Sequence, residues 1–263
     1  MVELRTRAEI QSMRAAGRVV ALALEAVRAA AGIGVRLSNL DEVARDVIFG
    51  AGATSPFLGY HPAFAPTPFR GVICASVNDA ALHGTPGPYR LADGDLVSID
   101  CGAVLDGWAA DAATSFTVGA ARPADLSLIE TTTAALQAGI AAARPAGRLG
   151  DVSAAISRVG RAAGCGIPTD FGGHGIGRAM HEDPSVPNDG RAGRGLPLRP
   201  GLVIAIEPWF LAGGQDAYVV DDDGWTVRSS DGSRAAHVEH TVAITEDGPV
   251  VLTTAAESES GRP

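Results

Sequence analysis

An α/β (α+β) chain made of two similar halves is the fold class this sequence predicts, and three features carry the prediction. A long helical pattern, a glycine-containing turn and a shorter helical pattern occur twice, over about 7–50 and again over about 124–163. Each pair is followed by short β-rich segments bounded by Gly, Pro or Asp. Placing Arg36-Leu37 on Arg148-Leu149 also aligns Leu40 with Val152, Ala44 with Ile156, Val47 with Val159 and Gly52 with Gly164. One domain over 1–254 follows, with pseudo-symmetric halves of roughly 1–120 and 121–254, and a tail over 255–263 expected to be disordered. Two such halves would place a site at their interface.

The elements follow in order. Thr6-Arg7-Ala8-Glu9 is a capping box, and Ile10, Met13, Val20, Leu24 and Val27 keep helical spacing, so a helix is expected over 7–31. Ser38-Asn39-Leu40-Asp41 opens a second helix that stops at Gly50. Pro56, Pro62, Pro66 and Pro68 make 56–70 a loop. Helices over 124–143 and 151–163 are separated by Pro145 and Gly147. Strands are expected over 71–77, 95–104, 111–118, 202–207, 217–220, 237–245 and 250–253. The stretch GGHGIGRAMHEDP at 172–184 carries two histidines seven apart, a spacing that would put both on one helix face. Its glycines argue against a helix, and Ser185 stands where a zinc-protease helix would need its second histidine.

Composition narrows the function. With 46% hydrophobic and 19% charged residues the chain is globular, and its net charge of −9 argues against DNA as a partner. Apolar runs fall short of the roughly 18 residues a membrane span needs, and the first residues lack the apolar core of a signal peptide. A cytoplasmic location without membrane contact is the expectation. Three cysteines in unpatterned spacing imply neither a disulfide framework nor a zinc knuckle. All 21 basic residues are arginine, which in so alanine- and glycine-rich a chain reads as coding bias.

Chemistry enters with acids placed where strands should be apolar. Asp106-Gly107 is a hairpin signal; if it forms the turn, Gly102 lies opposite Asp111. Asp100 is then a diagonal neighbour of Asp111 on the same face, about 7 to 8 Å away between backbone positions. Carboxylates this close repel unless a cation lies between them. Glu207 ends the apolar run GLVIAIEPW, and Glu239 lies in HVEHTVAI, read as a strand. Two Asp, two Glu and a nearby His form an oxygen-rich set suited to divalent cations, and four carboxylates balance two of them. That points to a two-metal hydrolytic site.

Together, DGDLVSIDCG, DGWAADAATSFTVG, GGHGIGRAMHEDP, AIEPW and RAAHVEHTVAIT resemble the type I methionine aminopeptidases, in the family's order and over nearly the whole chain. The resemblance implies a pita-bread fold: a pseudo-twofold arrangement of duplicated halves with antiparallel sheet backed by helices. It implies two divalent ions, with Co, Mn, Fe, Zn and Ni all compatible, held by Asp100, Asp111, His174, Glu207 and Glu239. Asp111 and Glu239 would bridge, Asp100 would complete one site, and His174 with Glu207 the other. It assigns His83 to the scissile amide or substrate amine, His181 to the developing oxyanion and Glu207 to proton transfer. Tyr60, Cys74, Met180 and Trp225 would line the methionine pocket, with either Phe64 or Phe69 as a further aromatic; Met180 stands where the family often has phenylalanine. The loop HPAFAPTPFR is longer than the family's, and His237 is an extra histidine expected to lie behind the ligands or face solvent. The implied partner is a peptide or nascent-chain N-terminus beginning with Met and followed by a small residue, acted on by a monomer. For transient ribosome contact Arg5, Arg7, Arg14 and Arg18 are candidates, although a solvated helix face is the plainer account of them. The alternatives are a prolidase-like pita-bread hydrolase and a non-catalytic pita-bread binding protein; the first usually carries a separate N-terminal domain, and the second should have lost ligands.

Overall fold

A computed structural model describes residues 2–255; apart from Ala255, the tail expected to be disordered lies outside the described residues. The first half runs α1 (Arg7–Ala30), α2 (Leu37–Gly50), β1 (Ile73–Val77), β2 (Ala80–Leu82), β3 (Asp95–Leu105) and β4 (Trp108–Val118). The second begins with α3 (Pro123–Ala142) and α4 (Leu149–Ala162), followed by β5 (Gly173–Gly175), β6 (Glu182–Val186) and β7 (Val203–Ile206). It ends with β8 (Trp209–Leu211), β9 (Tyr218–Val220), β10 (Val227–Ser229), β11 (Ala235–His237), β12 (His240–Thr245) and β13 (Gly248–Val251).

Local signals set the helix ends. Glu9 N donates to Thr6 Oγ1 and Thr6 N to Glu9 Oε2, closing the capping box that starts α1. The second helix starts earlier than Ser38 implied: Arg36, held extended by a bridge to Arg90, is its N-cap. The duplication is visible at the same positions. Arg36 and Arg148 are both extended N-caps of 14-residue helices, and both are bridged from outside. Beyond those helices Gly52 and Gly164 take φ values of 74° and 75°, the left-handed turn that closes a helix C-terminus cheaply only with glycine.

Every pairing between the named strands is antiparallel, in sheets ordered β1-β3-β4, β2-β10-β9, β11-β8 and β13-β12-β7-β5-β6. In the first half α1 and α2 bury Val20, Leu24, Leu40 and Ile48 in one core with Val97, Ile99 and Phe116. In the second, Leu136, Ile140, Val152 and Ile156 of α3 and α4 join Ile204, Ile206 and Val242 in another. The seam between the halves is hydrogen-bonded: Asp111 N donates to Thr241 Oγ1 (2.9 Å), Thr241 Oγ1 to Asp111 O (2.8 Å) and Glu239 N to Ala113 O (3.0 Å). The expected strand over 237–245 is corrected here. It divides into β11 and β12, and Glu239 sits in the break, because its backbone turns to pair with Ala113 of β4.

Candidate active site

The hairpin fixes the first two acids. Asp106 and Gly107 both take positive φ, 51° and 75°, as a tight two-residue turn requires, and Gly102 pairs with Asp111 while Asp100 pairs with Ala113. Both carboxylates therefore leave the same face, as the sequence implied. Glu207 follows β7, its carbonyl accepting from Asn188 Nδ2 at 3.0 Å. His174 is the middle residue of β5. A Cβ at Gly173 would strike the Ala205 carbonyl and one at Gly175 the Asp183 carbonyl, so only glycines let β5 slot between β6 and β7. His174 Nδ1 donates to Gly175 O at 2.9 Å, which leaves Nε2 facing the acids, 3.5 Å from Glu207 Oε1.

Electrostatics show what the cluster lacks. Burial, reinforced by Asp111 and Glu207, lifts the Asp100 carboxyl well above the usual carboxylate range. Burial likewise raises Glu239, with Asp111, Glu207 and Asp100 adding to it, and pushes Asp111 up to about 6 against the pull of His174. At Glu207 burial is outweighed by the His237, His174 and His83 imidazoles, and the carboxyl is held low. Asp100 Oδ1, Asp111 Oδ1 and Glu239 Oε1 are buried without a hydrogen-bond partner. Asp111, His174 and Glu239 each offer a donor atom, all within 4.8 Å of one another. Orphaned anionic oxygens beside an oriented imidazole are what a divalent cation satisfies, so the residues fit a metal centre.

The floor of acids opens into a cavity of about 540 Å³ with an apolar wall. Phe69, Cys74, Met180 and Trp225 are buried together there, with Tyr60 packed against them. Of the two phenylalanines considered, Phe69 lies in the wall and Phe64 stands exposed at its rim. Phe57 shares the wall and was not anticipated; its place in SPFLGY beside Tyr60 was the available signal. His181 sits in the β5–β6 connection, its Nδ1 3.1 Å from the Tyr60 hydroxyl and its ring centroid 4.4 Å from that of His174. His83, with a φ of 55°, packs edge-on against Phe171 at 5.1 Å, and its Nδ1 is buried without a partner.

Burial pushes the His83 pKa down to about 4, helped by His237, so the ring is neutral at pH 7. The sign for stability follows. Below the ordinary value near 6.5 the unfolded chain takes up a proton that the folded ring refuses, so stability falls with pH down to about 4. By pH 5 this ring alone should lower stability by up to about 2 kcal/mol relative to pH 7. Urea melts of metal-free wild type and His83→Asn at the two pH values check this: the wild type should lose more than the variant by that amount.

Of the two places expected for His237, it takes the one behind the acids: it is 2% exposed, with Nε2 3.7 Å from Glu207 Oε2. Arg5 drops out of the arginine patch, being buried and paired with Glu3 and Glu182, whereas Arg7 is exposed.

Comparison with known proteins places this arrangement. A model of metallopeptidase family M24 matches residues 11–246. The chain belongs to metallopeptidase family M24. A methionine aminopeptidase 1 from Mycobacterium tuberculosis is 54% identical over 260 residues, covering 96% of this chain and 95% of that protein. The crystal structure of a methionine aminopeptidase from Thermotoga maritima superposes with a TM-score of 0.91 at 37% identity, covering 97% of this chain and all of that one. A prolidase from Pyrococcus furiosus shares the fold alone, with a TM-score of 0.75 at 21% identity; the match covers 97% of this chain and 66% of the prolidase. Pita-bread architecture is thus common to the M24 members compared, and the described residues contain no helix long and apolar enough to cross a membrane.

Proposed function

We propose that this M24 peptidase removes the N-terminal methionine from peptides and nascent proteins whose second residue is small. The observation that carries the reading is the union, in one cavity, of four carboxylates with His174 and an apolar wall containing Met180, Cys74 and Trp225. A thioether fits such a wall of sulfur and aromatic side chains. Asp100, Asp111, His174, Glu207 and Glu239 would hold the two divalent ions, with the clustered donors of Asp111, His174 and Glu239 at the heart of the set. Bound there, the ions would bring the pKa of water toward neutrality and offset charge on the substrate carbonyl.

The remaining steps belong to side chains. Glu207, between the imidazoles of His174 and His237, takes the proton of the attacking water and passes it to the departing amine. Neutral His83 meets the scissile amide nitrogen. His181, oriented through Nδ1 by Tyr60, turns its other nitrogen to the oxyanion. The protein is proposed to act as a cytoplasmic monomer, with ribosome contact confined to the more exposed arginines of α1. Metal-loaded protein should cleave Met from Met-Ala-Ser, and a chelator should stop it; mass spectrometry of the products decides. No release of Met would sink the reading, and preferential cleavage of X-Pro bonds would favour the prolidase-like alternative.

A further inference from the structure

A cavity of about 540 Å³ lies within the range that holds a whole drug-sized ligand, so a methionine side chain leaves part of it unfilled. The unfilled part has an aromatic edge. Phe64 is 62% exposed, yet its loop is firmly built. Ala65 N donates to Pro62 O at 3.1 Å, the Trp225 indole donates to Thr67 O at 2.9 Å, and Pro66 packs so closely on Gly224 that a Cβ there would collide with it. The Phe64 ring stands edge-on between two others, 6.0 Å from Trp225 in the methionine wall and 6.4 Å from Phe171. Phe171 in turn touches His83, the group placed at the scissile bond. An aromatic ridge thus runs from the methionine pocket past the cut bond and out to the rim.

The substrate's geometry selects which residue meets that ridge. In an extended peptide alternate side chains point the same way, so the third residue faces the side on which the first is buried and the second faces away. We infer that Phe64 and Phe171 form a subsite for an apolar, preferably aromatic, side chain on the third residue of the substrate. The inference rests on the aminopeptidase reading and extends it from the first two residues to a third. A phenylalanine there would bury the open side of Phe64 and add an edge-to-face contact.

The test compares Met-Ala-Phe-Ser amide with Met-Ala-Gly-Ser amide on metal-loaded wild type, F64A and F64Y. Wild type should favour the Phe peptide by about tenfold in kcat/KM, the scale of one good aromatic contact. In F64A that ratio should fall to near one, and in F64Y it should persist. A wild-type ratio near one overturns the inference while leaving the aminopeptidase reading intact. An equal loss on both peptides in F64A also overturns it, showing Phe64 to be a lid over methionine instead. Cleavage of neither peptide by wild type removes both readings.

Discussion

Replacing Asp111 by Asn is expected to cost at least about a thousandfold in kcat/KM on Met-Ala-Ser, the several kcal/mol that metal-assisted hydrolysis supplies, while making the metal-free protein more stable. The two effects share one cause. Asp111 is 4% exposed, its Oδ1 has no partner, and burial pushes its pKa up to about 6. Because the folded value lies above the ordinary 3.8, the group loses stability for the protein as pH rises through that window and the loss is complete at pH 7. The penalty is on the order of 3 kcal/mol, of which an uncharged Asn with its own unpaired amide would recover about 1 to 2. A metal should reverse the ranking: a ligand at a hundred times its Kd stabilises wild type by about 2.7 kcal/mol, and the variant would lack the carboxylate proposed to hold it. Thermal melts with EDTA and with Mn, beside peptide assays, check both halves. A variant within tenfold of wild-type activity would remove Asp111 from the metal centre.

What the sequence disclosed about this cluster depended on range. Asp100 and Asp111 were legible because a two-residue turn and strict alternation are local rules, and the register matches them. The duplicated helices were legible for the same reason, through caps and helical spacing. Glu239 was assigned to a strand it does not occupy, since the break around it comes from pairing with Ala113 across the seam between halves. Strands of three residues such as β2, β5, β8 and β10 are too short to show a period, and their pairing comes from partners distant in the chain. The same limit hid Asn188 and Thr241, which hold the backbones of Glu207 and Asp111. Asp100, Asp111, Glu207 and Glu239 remained visible as acids in apolar surroundings, which burial makes costly without a ligand.

Glu182 illustrates the limit best, and its loss should have the second large effect. Beside His181 it suggested a zinc-protease motif that Ser185 breaks, so its sequence offered no role. In the fold Glu182 Oε1 accepts from Arg178 N at 2.8 Å and Ala179 N at 3.0 Å, and Oε2 takes the guanidinium of Arg5. Arg5 is itself buried, ties to Gly201 O through its backbone N–H, and lies over the Trp108 ring. The other face of the connection docks on the hairpin through Ala109 N to Gly177 O, 2.8 Å. One carboxylate thus closes the turn that presents Met180 and His181 to the cavity, where the proposed function sets His181 over the reacting carbonyl. In Glu182→Ala two backbone N–H groups lose their acceptor and the buried Arg5 keeps only Glu3, which should cost about 2 to 4 kcal/mol, below the usual figure for a buried pair because Glu182 is partly exposed and Glu3 remains. A displacement of about 1 Å at His181 should lower kcat about a hundredfold. Glu182→Gln retains an acceptor for the turn but not the charge, so most of kcat should return while the stability deficit toward Arg5 persists. Arg5→Met should show the same partial pattern from the other side. Urea melts and steady-state kinetics separate the contributions: if Glu182→Ala keeps kcat within threefold of wild type, the turn holds His181 without this carboxylate, and the ion pair serves stability alone.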